Sequence, residues 1–113
     1  MEKSILAKRK AQKLARDGQV QAAIDEMRHL LEESEADPYD HVYLGDLLMR
    51  RGEQGEAVAC YQAAVRSYES VGLIRNAIAV GKKVLRIDAG QHGLHRTLGE
   101  LYDREGLSGE AMP

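Results

Sequence analysis

The chain contains no tryptophan and no phenylalanine, and Pro38 and Pro113 are its only prolines. Its single thiol, Cys60, excludes an internal disulfide framework and any four-thiolate metal site. No apolar run approaches the ~20 residues that cross a bilayer as a helix. Near the start only Ile5-Leu6-Ala7 is apolar, too short for the hydrophobic region of a secretory signal. A reduced, cytoplasmic protein is the expectation. Neither sign of charge dominates: 16 Lys and Arg oppose 18 Asp and Glu, leaving −2 over 113 residues. That balance does not suit a dedicated nucleic-acid binder. What remains is rich in Ala, Leu, Arg and Glu, good helix formers, at a length that suits one domain, 1–113.

With proline so scarce, glycine marks the turns. Gly18, Gly52/Gly55, Gly72, Gly90/Gly93 and Gly106/Gly109 separate segments of helical periodicity. The second segment shows the pattern well, with Val20, Ala23, Ile24, Met27, Leu30 and Leu31 at the spacings of a helix packed on one side. Asp37 before Pro38 reads as the cap of the third. Six helices are predicted, over about 3–16, 19–34, 38–51, 54–71, 73–88 and 91–105. Strand-type alternation is not sustained anywhere.

A repeat runs through these helices. His41-Val-Tyr-Leu44-Gly45-Asp-Leu-Leu48-Met-Arg-Arg-Gly52 recurs as His95-Arg-Thr-Leu98-Gly99-Glu-Leu-Tyr102-Asp-Arg-Glu-Gly106. Five residues after each closing glycine comes an alanine: Ala23 after Gly18, Ala57 after Gly52, Ala77 after Gly72, Ala111 after Gly106. Ala23 and Ala57 are 34 residues apart, as are Ala77 and Ala111, whereas Ala57 and Ala77 are separated by 20. Small residues at such positions let two antiparallel helices approach: Gly45, Gly99, Ala57 and Ala111 against Leu44, Leu48, Tyr61, Leu98 and Tyr102.

These residues resemble the tetratricopeptide repeat, with its Leu-Gly pair, closing glycine and A-x3-F at a 34-residue period. The resemblance covers nearly the whole chain. It implies an all-α array of antiparallel helical hairpins in a right-handed stack, a fold of protein–protein interaction. Units are expected at about 4–36, 38–71, 58–89 and 91–113. The 20-residue interval makes helix 54–71 long enough to serve two of them, through Ala57 and Tyr61 in one and Tyr68 and Gly72 in the next. The last unit stops just after Ala111. An apolar face of Leu98, Leu101 and Tyr102 is therefore expected to lie open, covered by a second copy or by a longer chain.

Candidate chemistry is sparse. His92 and His95 have a spacing that could chelate a metal, yet no third ligand accompanies them, and His41 and His95 stand where the repeat carries an aromatic. Cys60 lacks a His/Asp constellation, and no serine lies in a Gly-x-Ser-x-Gly elbow. The glycines form neither a phosphate loop nor a dinucleotide fingerprint. No enzyme activity, metal, cofactor or small-molecule substrate is expected. Charge is uneven: residues 1–16 hold six basic groups against Glu2 (+5), while residues 17–40 hold eight acids against Arg28 (−7). A basic helix lying against an acidic neighbour accounts for this better than a lipid- or nucleic-acid-binding arm, since no aromatic interleaves the basic residues.

The family resemblance implies a concave groove lined by the first helix of each unit. In that register the groove offers Lys8, Gln12 and Arg16, then Tyr39, Val42, Asp46, Met49 and Arg50. The shared helix adds Gln62, Arg66 and Glu69, and the sixth helix adds Arg96, Glu100 and Asp103. Val42 and Asp46 stand where the family's carboxylate clamp would place Lys and Asn, which disfavours a chaperone-tail adaptor. The expected function is a non-catalytic scaffold binding a protein or peptide segment. The alternative is an assembly element that self-associates or docks through its C-terminal end.

Overall fold

Four helices, α1, α3, α4 and α6, end where glycine lets the backbone leave the right-handed region. Gly18, Gly52, Gly72 and Gly106 all have positive φ, between 70° and 84°. At Gly52 the turn is closed by two bonds: the Gly52 N–H donates to the Met49 carbonyl at 3.0 Å and the Glu53 N–H to Leu48 at 2.9 Å. This pattern satisfies the last carbonyls of a helix and favours a residue without Cβ. The computed structural model describes residues 2–33 and 37–106. In it α1 (Glu2–Arg16), α2 (Val20–Glu33), α3 (Pro38–Arg50), α4 (Gln54–Ser70), α5 (Ile74–Ile87) and α6 (His92–Arg104) follow in order, with no strand among the described residues. Their ends agree with the periodicity to within one residue.

The spacing of five from glycine to alanine has a local cause. One residue past the glycine, Gln19, Glu53 and Leu73 each end a turn with a carbonyl free to start the next helix. Ala23, Ala57 and Ala77 donate to those carbonyls at 3.1, 3.0 and 3.1 Å. All three alanines are fully buried in the crook of the turn. The third helix starts differently, with a reciprocal cap: the Asp37 carboxylate accepts from the Tyr39 N–H at 3.0 Å, and Asp40 accepts from the Asp37 N–H at 3.1 Å.

Consecutive helices pack on one another throughout, so α4 lies against both α3 and α5. Some polar contacts join consecutive helices, as Lys10 of α1 does with Glu26 of α2, but others skip a helix. Lys8 on α1 meets Asp40 on α3, and Asp46 on α3 meets Lys83 on α5. On the other side Arg28 on α2 reaches Glu56 on α4, and Glu69 on α4 meets Arg104 on α6. The helices thus form two layers, α1–α3–α5 and α2–α4–α6. The molecule's smallest extent, 20 Å, is two helix diameters.

Between the layers sit Ile24, Met27, Leu47, Leu48, Tyr61, Val84 and Leu101, the largest side chains that are wholly enclosed. Close approach depends on two glycines. A Cβ on Gly45 would lie 2.6 Å from Cε1 of Tyr61, and one on Gly81 would lie 2.8 Å from Cδ2 of Leu98. Gly99, the repeat counterpart of Gly45, has nothing within 4 Å of its Cβ position. The expectation of an open apolar face on α6 is corrected here. Leu98, Leu101 and Tyr102 are 5%, 0% and 7% exposed, with Gly81 of α5 against Leu98 and the Lys82 ammonium over the Tyr102 ring. The sixth helix is covered because it packs back onto α5. Ala111, the repeat alanine expected to open a further helix, lies outside the described residues.

These contacts give opposite outcomes for two similar substitutions. Gly45→Ala should lower stability by about 1–3 kcal/mol, because the methyl overlaps an aromatic ring that cannot move far. Gly99→Ala should be neutral or raise stability by up to ~1 kcal/mol, since it only removes backbone freedom from a helix. Denaturant titration of both variants decides the matter.

Candidate protein-interaction surface

The α1–α3–α5 face is assembled by side chains that reach from helix to helix. Asp40 is only 2% exposed, and it pairs with Lys8 at 2.9 Å while also closing the α3 cap. A buried carboxylate needs such a partner. Lys8 therefore serves the core and is not a free cation at the surface. From its last residue, α3 sends Arg50 back to α1, whose Ala15 carbonyl accepts from the guanidinium at 3.4 Å. Ala15 lies in the last turn of α1, where carbonyls lack helical partners.

Asp46 carries the junction of three helices. Its Oδ1 accepts from the Tyr61 hydroxyl of α4 at 2.5 Å and from the Lys83 ammonium of α5 at 2.6 Å. The same ammonium sits 4.9 Å from the centre of the Tyr61 ring. Burial first, and then this bond to Asp46, drive the Tyr61 hydroxyl far above the usual phenol range, so it stays protonated and donates to Asp46.

Around this junction lies an aromatic and cationic surface. Tyr39, at the start of α3, is 52% exposed, and Gln12, Arg16 and Arg50 are exposed further along α1 and α3. Tyr43 is half-buried among them. Burial pushes its hydroxyl up, as does neighbouring Tyr39, while Arg50 and Arg16 pull the other way. Val42 and Met49 are half-buried and pack against the core, so they serve as floor more than as anchors. Of the residues expected to line a groove, eight lie on α1 and α3: Lys8, Gln12, Arg16, Tyr39, Val42, Asp46, Met49 and Arg50.

The other six lie on α4 and α6, in the opposite layer. There the Gln62 amide donates to the Gln91 side chain at 3.0 Å and Glu69 accepts from Arg104 at 2.8 Å. Arg66 borders a pocket of about 340 Å³ with Val65, Leu94 and Thr97. Arg96, Glu100 and Asp103 are exposed on α6. Sequence reasoning missed Tyr43 and Lys83. A signal for Lys83 was present: the first residues of α1, α3 and α5 fall at 2, 38 and 74, a constant step that sets α5 beside α3.

Among the described residues no three His, Cys, Asp or Glu side chains converge as metal ligands. No described helix is long and apolar enough to cross a membrane. Cys60 is half-buried, and burial together with Glu56 pushes its thiol up. His95 makes a local contact, its Nε2 3.2 Å from the Ala89 carbonyl.

No protein-family model matches the chain, and no curated protein matches it. Solved structures do. One is the first TPR of Spaghetti (RPAP3) bound to the HSP90 peptide SRMEEVD, 13% identical, with 93% of this chain and 94% of that chain covered at a TM-score of 0.51. Another is MamA, 18% identical, with 96% and 71% covered at a TM-score of 0.47. At these identities the likeness is one of fold. The chain has the fold of a tetratricopeptide-type helical repeat.

One titration follows from this geometry. Burial holds the half-buried His41 imidazole below its ordinary value of 6.5, with Arg66 adding to the effect and Asp40 opposing it. The unfolded chain then binds the proton more tightly than the folded one, so stability is full above about 6.5 and declines as pH falls through that value. The melting temperature should drop between pH 7.5 and 5.5, and His41→Gln should flatten part of that drop. An unchanged slope in the variant would remove His41 as the cause.

Proposed function

We propose that the chain is a non-catalytic scaffold that holds a segment of a partner protein against its α1–α3–α5 face. The carrying observation is the cluster of Tyr39, Tyr43, Arg16 and Arg50, contributed by two helices whose relative position Lys8–Asp40 and Arg50–Ala15 fix. Tyrosine and arginine combine large contact area with directional donors, and interface energy concentrates in such residues. A rigid platform of this kind pays little ordering entropy on binding.

The chemistry of the segment follows from the face. Arg16 and Arg50 call for carboxylate or carbonyl acceptors, and the two tyrosines for apolar or aromatic anchors. Asp46 is a negative charge on the floor beside Val42, so a terminal carboxylate docked at that point would meet repulsion. A segment of mixed charge with one or two apolar anchors fits better than a purely acidic tail. In this reading the protein works in the cytoplasm, without cofactor, and α4 belongs to two hairpins at once. The C-terminal end is the weaker docking candidate, because Leu98, Leu101 and Tyr102 are already buried.

Two paired variants separate the faces. Tyr39→Ala with Arg16→Glu, both exposed, should reduce recovery of the native partner from lysate at least tenfold, with the melting temperature within a few degrees of the parent. Arg66→Glu with Arg96→Glu should leave recovery within about twofold. The reverse result would move the site to α4 and α6, and no loss in either would reject both faces.

A further inference from the structure

The first hairpin carries a surface that the proposed groove does not use. On α1, Leu6, Arg9, Lys10 and Lys13 recur at the three- and four-residue steps of one helical stripe. Leu6 is 63% exposed and the adjacent Ile5 50% exposed, an unusual state for large aliphatic side chains in the middle of a helical segment. Arg9 and Lys13 are exposed and make no ion pair among the described residues, whereas Lys10 reaches Glu26 at 3.5 Å. On α2 the matching stripe is Asp25, His29 and Glu32, with Glu33 beside it, all exposed. Between the two helices Leu6, Ala7 and Leu30 line an apolar pocket of about 270 Å³, with Lys10 on one rim and Glu26 and Glu33 on the other.

A cationic rail beside an acidic rail, with aliphatic groups between them, decides what can cover this surface. A uniformly anionic partner such as a lipid headgroup layer or a nucleic acid would be attracted to α1 and repelled by α2. A second copy of this chain meets no such conflict. Rotation by a half-turn about an axis running along the groove places α1 of one copy over α2 of the other, and the reverse. Within one hairpin Lys10 is level with Glu26 and Leu6 with Leu30, so the half-turn brings Arg9 and Lys13 to either side of the mate's Asp25, and Leu6 of each copy enters the apolar space of its mate. The surface is self-complementary, as a two-fold interface requires.

We infer that the outer face of α1 and α2 is a homodimer interface centred on Leu6. Two helices of ~21 Å, each ~10 Å wide, offer about 400 Å² per copy, below the size of stable interfaces. The dimer is accordingly weak, with a dissociation constant of roughly 10 μM to 1 mM, and salt-sensitive. The α1–α3–α5 face stays open in it, so two grooves are presented together.

Sedimentation equilibrium of the purified chain from 5 μM to 1 mM tests the inference. A monomer–dimer equilibrium should appear and weaken at least threefold between 50 and 500 mM salt. Leu6→Glu should weaken it more than tenfold while leaving the helical circular dichroism unchanged, since the side chain is already exposed. Reversing α1 (Arg9→Glu, Lys13→Glu) or α2 (Asp25→Lys) should weaken dimers more than fivefold in each case, whereas an equimolar mixture of the two variants should dimerise again. A chain that stays monomeric to 1 mM, a dimer indifferent to Leu6→Glu, or a mixture that fails to restore association would overturn the inference. So would association that occurs only on anionic phosphatidylserine vesicles.

Discussion

Everything on the α1–α3–α5 face depends on one ring in one slot. Tyr61 of α4 is fully enclosed because Gly45 of α3 has no side chain there, and its hydroxyl then has a single place to go, the Asp46 carboxylate. Asp46 in turn draws the Lys83 ammonium of α5 across the ring. A void, a ring, a carboxylate and a cation thus tie three helices at one point. The cluster is polar on its outer side and apolar on its inner side, which lets it stand at the boundary between core and surface. Groups so connected strengthen one another, and losing one leaves the others short of a partner.

From this junction the rest of the architecture follows by short range rules. Glycines at positive φ fold the α1–α2, α3–α4 and α4–α5 turns, buried alanines let the next helix start close to the last, and the skip-one contacts then keep two layers in step. Lys8–Asp40 performs for α1 and α3 what Asp46–Lys83 performs for α3 and α5, though the first pair is buried and the second half-exposed. The buried pair resists separation more strongly, because an unpartnered carboxylate in the core is costly. Tyr39, Tyr43, Arg16 and Arg50 stand on α1 and α3, the helices these joints hold, on backbones that have little freedom to move. A rigid aromatic and cationic platform is the consequence.

Much of this was readable in the residues. Helix bounds follow from apolar periodicity and from glycine, and the alanine spacing marks the hairpin turns. Asp37 and Pro38 announced the start of α3. What resisted reading was the course of the chain after α4. The 20-residue interval between Ala57 and Ala77 drew α4 and α6 into one groove with α1 and α3, whereas their side chains meet in the other layer. Local turn chemistry is written in consecutive residues; which layer a helix joins depends on contacts 28 to 37 residues apart, as in Arg28–Glu56 and Asp46–Lys83. Gly99 shows the same limit. Its repeat position matched Gly45, but the slot that needs a glycine on α5–α6 is at Gly81, 36 residues after Gly45, the step that separates the starts of α3 and α5. The burial of Leu98, Leu101 and Tyr102 likewise depended on α6 folding back onto α5.

The central claim is that Asp46 and Lys83 couple α3 to α5. A double-mutant cycle with Asp46→Asn and Lys83→Met, read by denaturant unfolding, measures that coupling directly. For a half-exposed pair joined through a buried tyrosine, the account predicts a coupling of about 0.5–1 kcal/mol that shrinks in high salt. Single-variant effects that add to within ~0.3 kcal/mol would mean that α5 is held beside α3 by other contacts, and that the junction described here does not organise the face.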